Sequence, residues 1–506
     1  MRTSFYDVVV LGTGLEPLLA AALLGREGLR VLVLGQDSPD VYSIGGVPID
    51  AYPLPLLGAR SPIVEQTLES LALRQDLRQR IGERHRAFQL LLPEHRVDVV
   101  PDESRWAAEV EREMPRIGLQ AADISRTLRD VDAELDELFG RDLSWPPETF
   151  LERQRFSFAS ASQRYDRRGS GWTSWNQLAY GHPLRGGFEG ALPHVSALFP
   201  GQHSDATRAR LHAQLLQGVA SVPGGIAWFR EAPFMRVRSW GGDVRERDKA
   251  TAIQSRGRRE HVVVLGRGDE EIGCSQIVHG TPVAELAQLI DSRAPMSALF
   301  ERVGEPRARA YRCSVHLLVE RTGVPDALEP LSLACPDPRH PERGFLIRNE
   351  ALPSNLSLIT ATTLIEEHRI DTTSSQLRFV RDDAMEVIRS IMPFVDEHAR
   401  WIDSSHDGLP PEPLSDSGEV AVDEPGARGP STMRALYEYP TTRALGVCAL
   451  PTRTPVQGVF LCNDQVSPGL GFEGAFLTAS TTTRHVAAQY RSRDWLRRGP
   501  WARRSV

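Results

Sequence analysis

Hydrophobic and polar positions alternate in blocks that predict a strand, a helix and a second strand near the start of the chain. Val8–Leu11 is a short apolar run of the kind that forms a strand buried on both faces. The run ends at Gly12-Thr13-Gly14, after which Leu18–Leu24 predicts a buried helix and Val31–Leu34 a second buried strand. Strand, glycine turn, helix and strand together predict a βαβ unit that binds a dinucleotide.

The same patterning predicts further elements along the chain. Two apolar stretches around a polar turn predict a hairpin over residues 88–100. Helical spacing predicts helices over 63–77 and 103–139, the second with Leu119, Ile124, Leu128, Val131 and Leu135 on one face. Separate apolar strands and one helix follow, at residues 313–319, 331–334, 344–348, 356–362 and 382–392. Residues 406–430, rich in Pro, Gly, Ser and acids, predict an exposed loop.

The glycine turn supplies the chemistry of this unit. Without side chains, Gly12 and Gly14 let the backbone approach a ligand closely, and the following helix N-terminus favours a pyrophosphate. The motif departs from G-x-G-x-x-G because Pro17 replaces the third glycine. The acid expected after the second strand is also absent: Gly35 and Gln36 stand there, with Asp37 slightly late. A doubly wound fold that no longer holds a nucleotide is therefore the alternative.

Composition excludes several classes of protein. The 506 residues allow about three domain-sized units, and a net charge of −7 argues against a general nucleic-acid binder. The five dispersed cysteines match no zinc spacing and indicate reduced core thiols in a cytoplasmic protein. No apolar stretch approaches the ~18 residues of a membrane span. Cleavage of the apolar start as a signal peptide would remove the first strand, so we reject that interpretation.

Glycine motifs further along the chain point to a family. Gly45-Gly46 follows the βαβ unit; Pro223-Gly224-Gly225 and Gly241-Gly242-Asp243-Val244 come later. Gly458–Asp464 is a strand leading to a polar pair, and a glycine-rich turn then opens a final helix after Gly471. This order resembles the flavoproteins with two dinucleotide-binding domains, a group that includes phytoene desaturases, flavin amine oxidases and the related Rab GDP-dissociation inhibitors.

The resemblance implies an α/β fold. It comprises a Rossmann-like FAD-binding domain assembled from discontinuous segments, a mixed-sheet substrate domain and a helical cap. The implied boundaries are residues 1–105, 221–297 and 441–506 for the FAD-binding domain, 106–220 for the cap and 298–440 for the substrate sheet. A second G-x-G at Gly266 and Gly268 has no helix after it, and we interpret it as a hairpin turn.

The resemblance also implies FAD as the cofactor. Asp464 would accept a hydrogen bond from a ribityl hydroxyl, and the helix after Gly471 would stabilise negative charge on the flavin. Asn463 replaces the usual glycine before Asp464. The implied cofactor-binding residues are Gly12, Thr13, Gly14, Leu15, Gln36, Gly45, Gly46, Ala250, Asp464, Gly471 and Phe472.

The implied activity is FAD-dependent oxidation of a C–C or C–N bond in an apolar small molecule. No pattern offers a catalytic base or a metal site. Glu473, beside the C-terminal motif, is the one ionisable candidate, and a surface glutamate is the alternative. Trp172, Trp175 and Tyr180 line an apolar pocket or are simply core. The rival function is a non-enzymatic binding protein on the Rab GDP-dissociation inhibitor scaffold, which shares the G-T-G-L start and has lost FAD.

The C-terminal tail differs from the rest of this acidic chain. Residues 490–506 carry six arginines and two tryptophans against Asp494. This composition is typical of a segment that contacts an anionic membrane surface. The alternative is that these side chains cover the nucleotide domain.

Overall fold

A computed structural model describes most of the chain. The described residues are 5–36, 41–51, 53–82, 88–161, 174–220, 222, 225–256, 260–266, 270–290, 294–370, 377–414, 420, 422–424 and 426–497, with only the backbone given for residues 174, 294, 422, 424 and 491–497. None of the helices in these ranges is long and apolar enough to cross a bilayer. All five cysteines are buried and none forms a disulfide, as expected.

Fourteen α-helices and nineteen strands form within the described ranges. The α-helices are α1 Leu15–Arg26, α2 Pro62–Ser70, α3 Arg74–Arg80, α4 Glu103–Glu113, α5 Gly118–Phe139, α6 Phe150–Ser160, α7 Pro183–Val195, α8 Asp205–Gln217, α9 Gly225–Ser239, α10 Val283–Leu289, α11 Ala294–Val303, α12 Arg378–Ile391, α13 Val395–His398 and α14 Gly471–Arg497. The strands are β1 Phe5–Leu11, β2 Val31–Leu34, β3 Val41–Ile44, β4 Val47–Asp50, β5 Phe88–Leu91, β6 Arg96–Val99, β7 Asp243–Arg245, β8 Ala250–Ser255, β9 His261–Leu265, β10 Glu271–His279, β11 Arg307–Glu320, β12 Leu331–Ala334, β13 Phe345–Leu352, β14 Leu356–Glu366, β15 Ala399–Asp403, β16 Glu412–Pro413, β17 Val422–Glu424, β18 Arg434–Glu438 and β19 Val459–Leu461.

The first sheet is assembled from distant segments, as the α/β prediction requires. Its strand order is β7-β2-β1-β10-β9-β8 with β19 beside β10, so within the described ranges it has seven strands. β7, β2, β1, β10 and β19 run parallel. In the register, Leu11 lies beside His279 and His279 beside Leu461. The carboxyl ends of β1, β10 and β19 therefore meet at one edge, where ligands bind in open α/β sheets.

The second sheet is mixed and, within the described ranges, has nine strands in the main order β16-β15-β11-β14-β13-β12-β5-β6, with β18 beside β11. It contains the predicted strands between residues 313 and 362. The predicted hairpin also forms, from β5 and β6. However, β5 pairs with β12, which places this hairpin in the second sheet rather than in the first nucleotide-binding segment.

The predicted helices form with small changes. Residues 63–77 divide into α2 and α3, and residues 103–139 divide into α4 and α5. Leu119 was expected on the buried face of the second helix and is instead 84% exposed, whereas Leu128 is fully buried.

The interpretation of Gly266 as a hairpin turn is confirmed, because β9 and β10 on either side of it pair antiparallel. The predicted exposed loop begins in the core, since His406 and Asp407 are buried.

Helix α1 packs closely against the loop after β10 despite the missing third glycine. A Cβ atom added to Gly280 would lie 2.4 Å from Cγ of Pro17 and 2.7 Å from the carbonyl oxygen of Leu11. The space that a motif glycine normally provides on the helix is therefore provided by Gly280 on the facing loop. Pro17 is tolerated because the first helical turn does not need its N–H.

We expect Gly280→Ala to destabilise the fold, because its methyl group would overlap both Pro17 and Leu11. Overpacking of this kind costs about 1–3 kcal/mol. The measurement is the free energy of unfolding in urea. Gly82→Ala is the matched control, since a Cβ at Gly82 would meet no atom within 4 Å. Equal stability of the two variants would contradict the close contact.

Candidate functional site

The candidate site lies where the glycine turn joins β1 to α1. Gly12 has φ +101°, which favours glycine, and its N–H donates to the carbonyl of Leu34 at 2.8 Å. Gly14 is the N-cap of α1 and no side chain caps the helix there. Thr13 and Gly14 are partly exposed, whereas Gly12 and Leu15 are buried. The first N–H groups of α1 therefore favour a nearby anion.

The end of β2 is closed to an acidic side chain. A Cβ at Gly35 would lie 1.9 Å from the carbonyl oxygen of Glu246, so only glycine fits. Gln36 is buried, with φ +62°, and its backbone N–H donates to the carbonyl of Asp248 at 3.2 Å. The segment after β7 therefore covers the position from which an acid would bind ribose. Asp37 lies outside the described residues.

The other predicted cofactor-binding residues, Gly45, Gly46 and Ala250, are in contact with other parts of the protein. Gly45 and Gly46 form the turn of the β3–β4 hairpin, and the N–H of Gly46 donates to Oδ2 of Asp423 at 2.6 Å. The hairpin's Ile44 and Ile49 belong to a core cluster shared with strands of the second sheet. Ala250, the first residue of β8, is buried beside the segment that covers Gly35.

The end of β19 brings the C-terminal motif to the glycine turn. Asn463 Nδ2 donates to the carbonyl of Thr281 at 2.5 Å, and its Oδ1 accepts the N–H of Gln465 at 3.2 Å. Asn463 therefore ties β19 to the loop after β10, a role that glycine could not fill. Asp464 follows it and is partly exposed.

Helix α14 begins at a position that requires glycine. Gly471 has φ +51°, and a Cβ there would lie 1.9 Å from the carbonyl oxygen of Val195. Phe472 is 1% exposed and packs edge-on against Phe229, with ring centroids 4.8 Å apart. Its ring thus lies in the aromatic core, while Gly471 keeps partial exposure at the helix N-terminus.

Glu473 is fully buried, so its interpretation as a surface glutamate is wrong. Arg210 and Gln214 both donate to its carboxylate. A glutamate held in this way is structural.

The aromatic residues predicted to line a pocket or the core lie in different environments. Trp175 is buried and its ring stacks on Phe188, with ring centroids 4.3 Å apart. Tyr180 is 77% exposed, and Trp172 lies outside the described residues.

A small charged cavity of about 50 Å³ lies at the start of α1 and is lined by Glu16, Arg230, Arg312 and Arg434. Burial, with a smaller contribution from Asp464, raises the pKa of Glu16 to about 7. Burial also raises the pKa of Asp464, while Arg434 and Arg312 oppose that shift. Sequence reasoning missed the three arginines, which come from distant elements. Glu16 stands inside the glycine motif, and its carboxylate at the helix start could have been noticed.

A larger cavity of about 510 Å³ adjoins the small one, and both are lined by Pro53, Leu54, Leu346 and Thr362. Its walls combine apolar side chains with the ion pair of Arg348 and Glu350, whose charged atoms are 3.2 Å apart. This volume lies in the ~300–1,000 Å³ range of small-molecule sites. The larger cavity can therefore hold a ligand that reaches the start of α1.

The residues present fit FAD unevenly. Thr13, Gly14, Asp464 and Gly471 stay partly exposed around two helix N-termini, which suits the pyrophosphate and flavin ends. The adenosine end lacks its acid and has no room for one at Gly35. The small cavity also has a volume of only about 50 Å³ and is lined by charged side chains.

Comparisons with known proteins give the fold. No protein-family model and no curated protein matches the chain. An oxidoreductase from Methanosarcina mazei superposes with a TM-score of 0.58 at 14% identity, covering 94% of this chain and 100% of that one. A putrescine oxidase bound to putrescine superposes with a TM-score of 0.56 at 12% identity, covering 97% of this chain and 100% of that one.

Cyclohexylamine oxidase from Brevibacterium oxydans gives a TM-score of 0.55 at 13% identity, covering 96% of this chain and 99% of that one. These likenesses extend over nearly the whole chain and include both sheets. The architecture that the glycine motifs suggested is thus confirmed, because this chain shares its fold with these oxidoreductases.

Proposed function

We propose that this chain is an FAD-dependent oxidoreductase that acts on a C–C or C–N bond of an apolar small molecule. One observation carries the proposal. Leu15 and Glu16 at the start of α1 and Ala475 near the start of α14 line a small cavity that adjoins a ligand-sized one, and Asp464 lies close enough to raise the pKa of Glu16. A cofactor held by the first group would therefore meet a substrate held in the second.

The cofactor-holding roles follow from the placement of each group. The N-terminus of α1 would stabilise the pyrophosphate, and Asp464 would accept a hydrogen bond from the ribityl chain. The N-terminus of α14 would stabilise negative charge at the flavin ring. When bound, FAD supplies the hydride acceptor. The three arginines offset the charges of Glu16 and Asp464 and add positive potential for a diphosphate.

The substrate would occupy the larger cavity. Leu54, Leu56, Val219, Leu331 and Leu346 line it and favour apolar groups. The Arg348–Glu350 pair offers a polar contact at its wall. His194 lies beside the small cavity, and burial lowers its pKa to about 3, so it is neutral near pH 7. A neutral imidazole adds no charge to this site.

A second candidate is a binding protein of this fold that carries no cofactor. Three features favour it: Gly35 excludes a ribose-binding acid, Glu16 adds a carboxylate near the diphosphate position, and the small cavity is about 50 Å³. The resemblance of Gly12–Leu15 to the Rab GDP-dissociation inhibitors points the same way. Binding of FAD separates the two candidates.

We expect one non-covalent FAD per chain, because two helix N-termini and Asp464 converge at one site. The purified protein should show flavin absorbance, or develop it after addition of FAD, and its melting temperature should rise. A colourless protein whose melting temperature does not change in saturating FAD would favour the cofactor-free binding protein.

Asp464→Ala should weaken FAD binding without unfolding the protein. A hydrogen bond to a charged group contributes about 1.5–3 kcal/mol, so affinity should fall roughly ten- to a hundredfold. Fluorescence titration of FAD measures the effect. Asp123→Ala is the control, because that side chain is 70% exposed on α5. Equal affinities of the two variants would exclude Asp464 from the site.

Glu16→Gln should strengthen FAD binding above pH 7. Glu16 has a pKa of about 7, so its carboxyl group is mostly neutral at lower pH and negative at higher pH, where it repels a diphosphate. FAD affinity of the unaltered protein should therefore fall as pH rises from 6 to about 8, and the variant should lose most of this dependence. Identical pH profiles would show that Glu16 does not face the diphosphate.

A further inference from the structure

The second sheet places two arginines side by side at the small cavity. Arg312 on β11 and Arg434 on β18 lie directly opposite one another in the antiparallel register, and both line this cavity of about 50 Å³. Like charges directly opposite one another in a strand pair are destabilising. Both strands belong to the second sheet, whereas the glycine turn follows a strand of the first sheet. A negative group on this side of the cavity would offset the repulsion.

Arg312 keeps hydrogen-bond donors for a ligand. Its Nε and Nη2 both donate to the carbonyl of Pro193, at 3.0 and 2.8 Å. Its Nη1 makes no hydrogen bond within the described part of the chain and is not among the fully buried atoms there. None of the described carboxylates forms an ion pair with Arg312, and Asp464 acts on it from a greater distance.

Arg210, another arginine inside the protein, shows the opposite situation. Its Nε donates to Glu473, its Nη1 to the carbonyl and carboxylate oxygens of Asp132, and its Nη2 to Asp136 and Glu473. All five N–H groups of this guanidinium are therefore used. A buried charge is tolerated when such partners replace its lost hydration. Arg312 lacks them, so a negatively charged ligand would supply what its surroundings do not.

The small cavity is positive by formal charge. Arg230, Arg312 and Arg434 line it together with Glu16, and with the nearby Asp464 the three arginines face two carboxylates. Glu16 has a pKa of about 7, so its carboxyl group is only partly charged near pH 7. Burial, with a smaller contribution from Arg434, lowers the pKa of Arg312 to about 10, while Asp464 opposes that shift. Arg312 thus stays charged near pH 7, and the balance favours an anion.

We propose that the substrate of the proposed oxidoreductase is an apolar carboxylate, whose head group binds Arg312 and whose chain lies in the larger cavity. The small cavity has room for a few water-sized groups, which suits a carboxylate. Leu54 and Leu346 line both cavities, so an apolar surface begins where the head group would end. The larger cavity is lined by two arginines and two acids, whose formal charges cancel. This inference rests on the proposed function, since it names the substrate class of that site.

Calorimetric titration of the full-length protein with octanoate tests this proposal, and octanamide serves as a neutral ligand of nearly the same size. We expect saturable octanoate binding that is roughly ten- to a hundredfold tighter than octanamide binding, because a hydrogen bond to a charged group contributes about that factor. Arg312→Gln should weaken octanoate binding by a similar factor and leave octanamide binding unchanged. Equal affinities of the two ligands for the unaltered protein, or no octanoate binding, would overturn the proposal.

Arg321→Gln is the matched control, because Arg321 is exposed, carries the same charge and lines the larger cavity. Octanoate binding that weakens in Arg312→Gln and survives Arg321→Gln supports the proposed site. Binding that weakens only in Arg321→Gln would overturn it. If Arg312→Gln fails to fold, Arg434→Gln takes its place, because it removes the opposed arginine of the same pair.

Titration of the same variants with FAD separates this proposal from the proposed function. We expect Arg312→Gln to leave FAD affinity unchanged, since Arg312 belongs to the second sheet. Loss of FAD affinity with unchanged octanoate affinity would assign Arg312 to the cofactor and overturn the carboxylate site. An unaltered protein that binds octanoate through Arg312 but binds no FAD would overturn the oxidoreductase and support a carboxylate site in a cofactor-free binding protein.

Discussion

The saturated guanidinium of Arg210 fixes how the helical region meets the C-terminal helix. It joins α8 to Asp132 and Asp136 on α5 and to Glu473 on α14. A buried charge is tolerated only when hydrogen bonds replace its lost hydration, and loss of one partner of such a pair costs about 3–5 kcal/mol. Glu473 lies two residues after Gly471. The same network that holds the helices therefore sets the start of α14 at the candidate cofactor site.

Close backbone approaches then shape that site. Gly280 faces Pro17, Gly35 faces Glu246 and Gly471 faces Val195, each at a distance that leaves no room for a Cβ. The first contact keeps α1 on the sheet although the motif glycine is missing. The second contact leaves no room for the acidic side chain that would bind ribose. The protein thus keeps the architecture of a dinucleotide site while altering its adenosine end, which is why FAD retention separates the two candidate functions.

Charge distinguishes the cavities from one another. Glu16, Asp464 and three arginines meet at the start of α1, so that site combines both signs. A cavity of about 330 Å³ is lined by Asp132 and Asp136, which are paired with Arg210, and by the exposed Arg60. Leu56, Val219 and Ala220 line both this cavity and the apolar substrate cavity.

Local sequence determined the elements of this protein, because hydrophobic period and turn residues act over a few positions. Val8–Leu11, the glycine turn and Val31–Leu34 predicted β1, α1 and β2, and residues 88–100 predicted a hairpin. The order of motifs also predicted the overall fold. The prediction that Leu119 lies on the buried helix face was wrong, because helical spacing alone did not show which side of α5 would pack against the core.

Tertiary structure decided what each element touches. The partners of Glu473, Gly35 and Pro17 come from Arg210, Glu246 and Gly280, each more than 200 residues away along the chain. The arginines at the candidate site likewise come from α9, β11 and β18. The spacing of residues along the sequence does not encode such contacts, since they depend on how complete sheets and helices pack. Burial, pKa and cavity shape arise from those contacts, and therefore only the folded chain fixes its site.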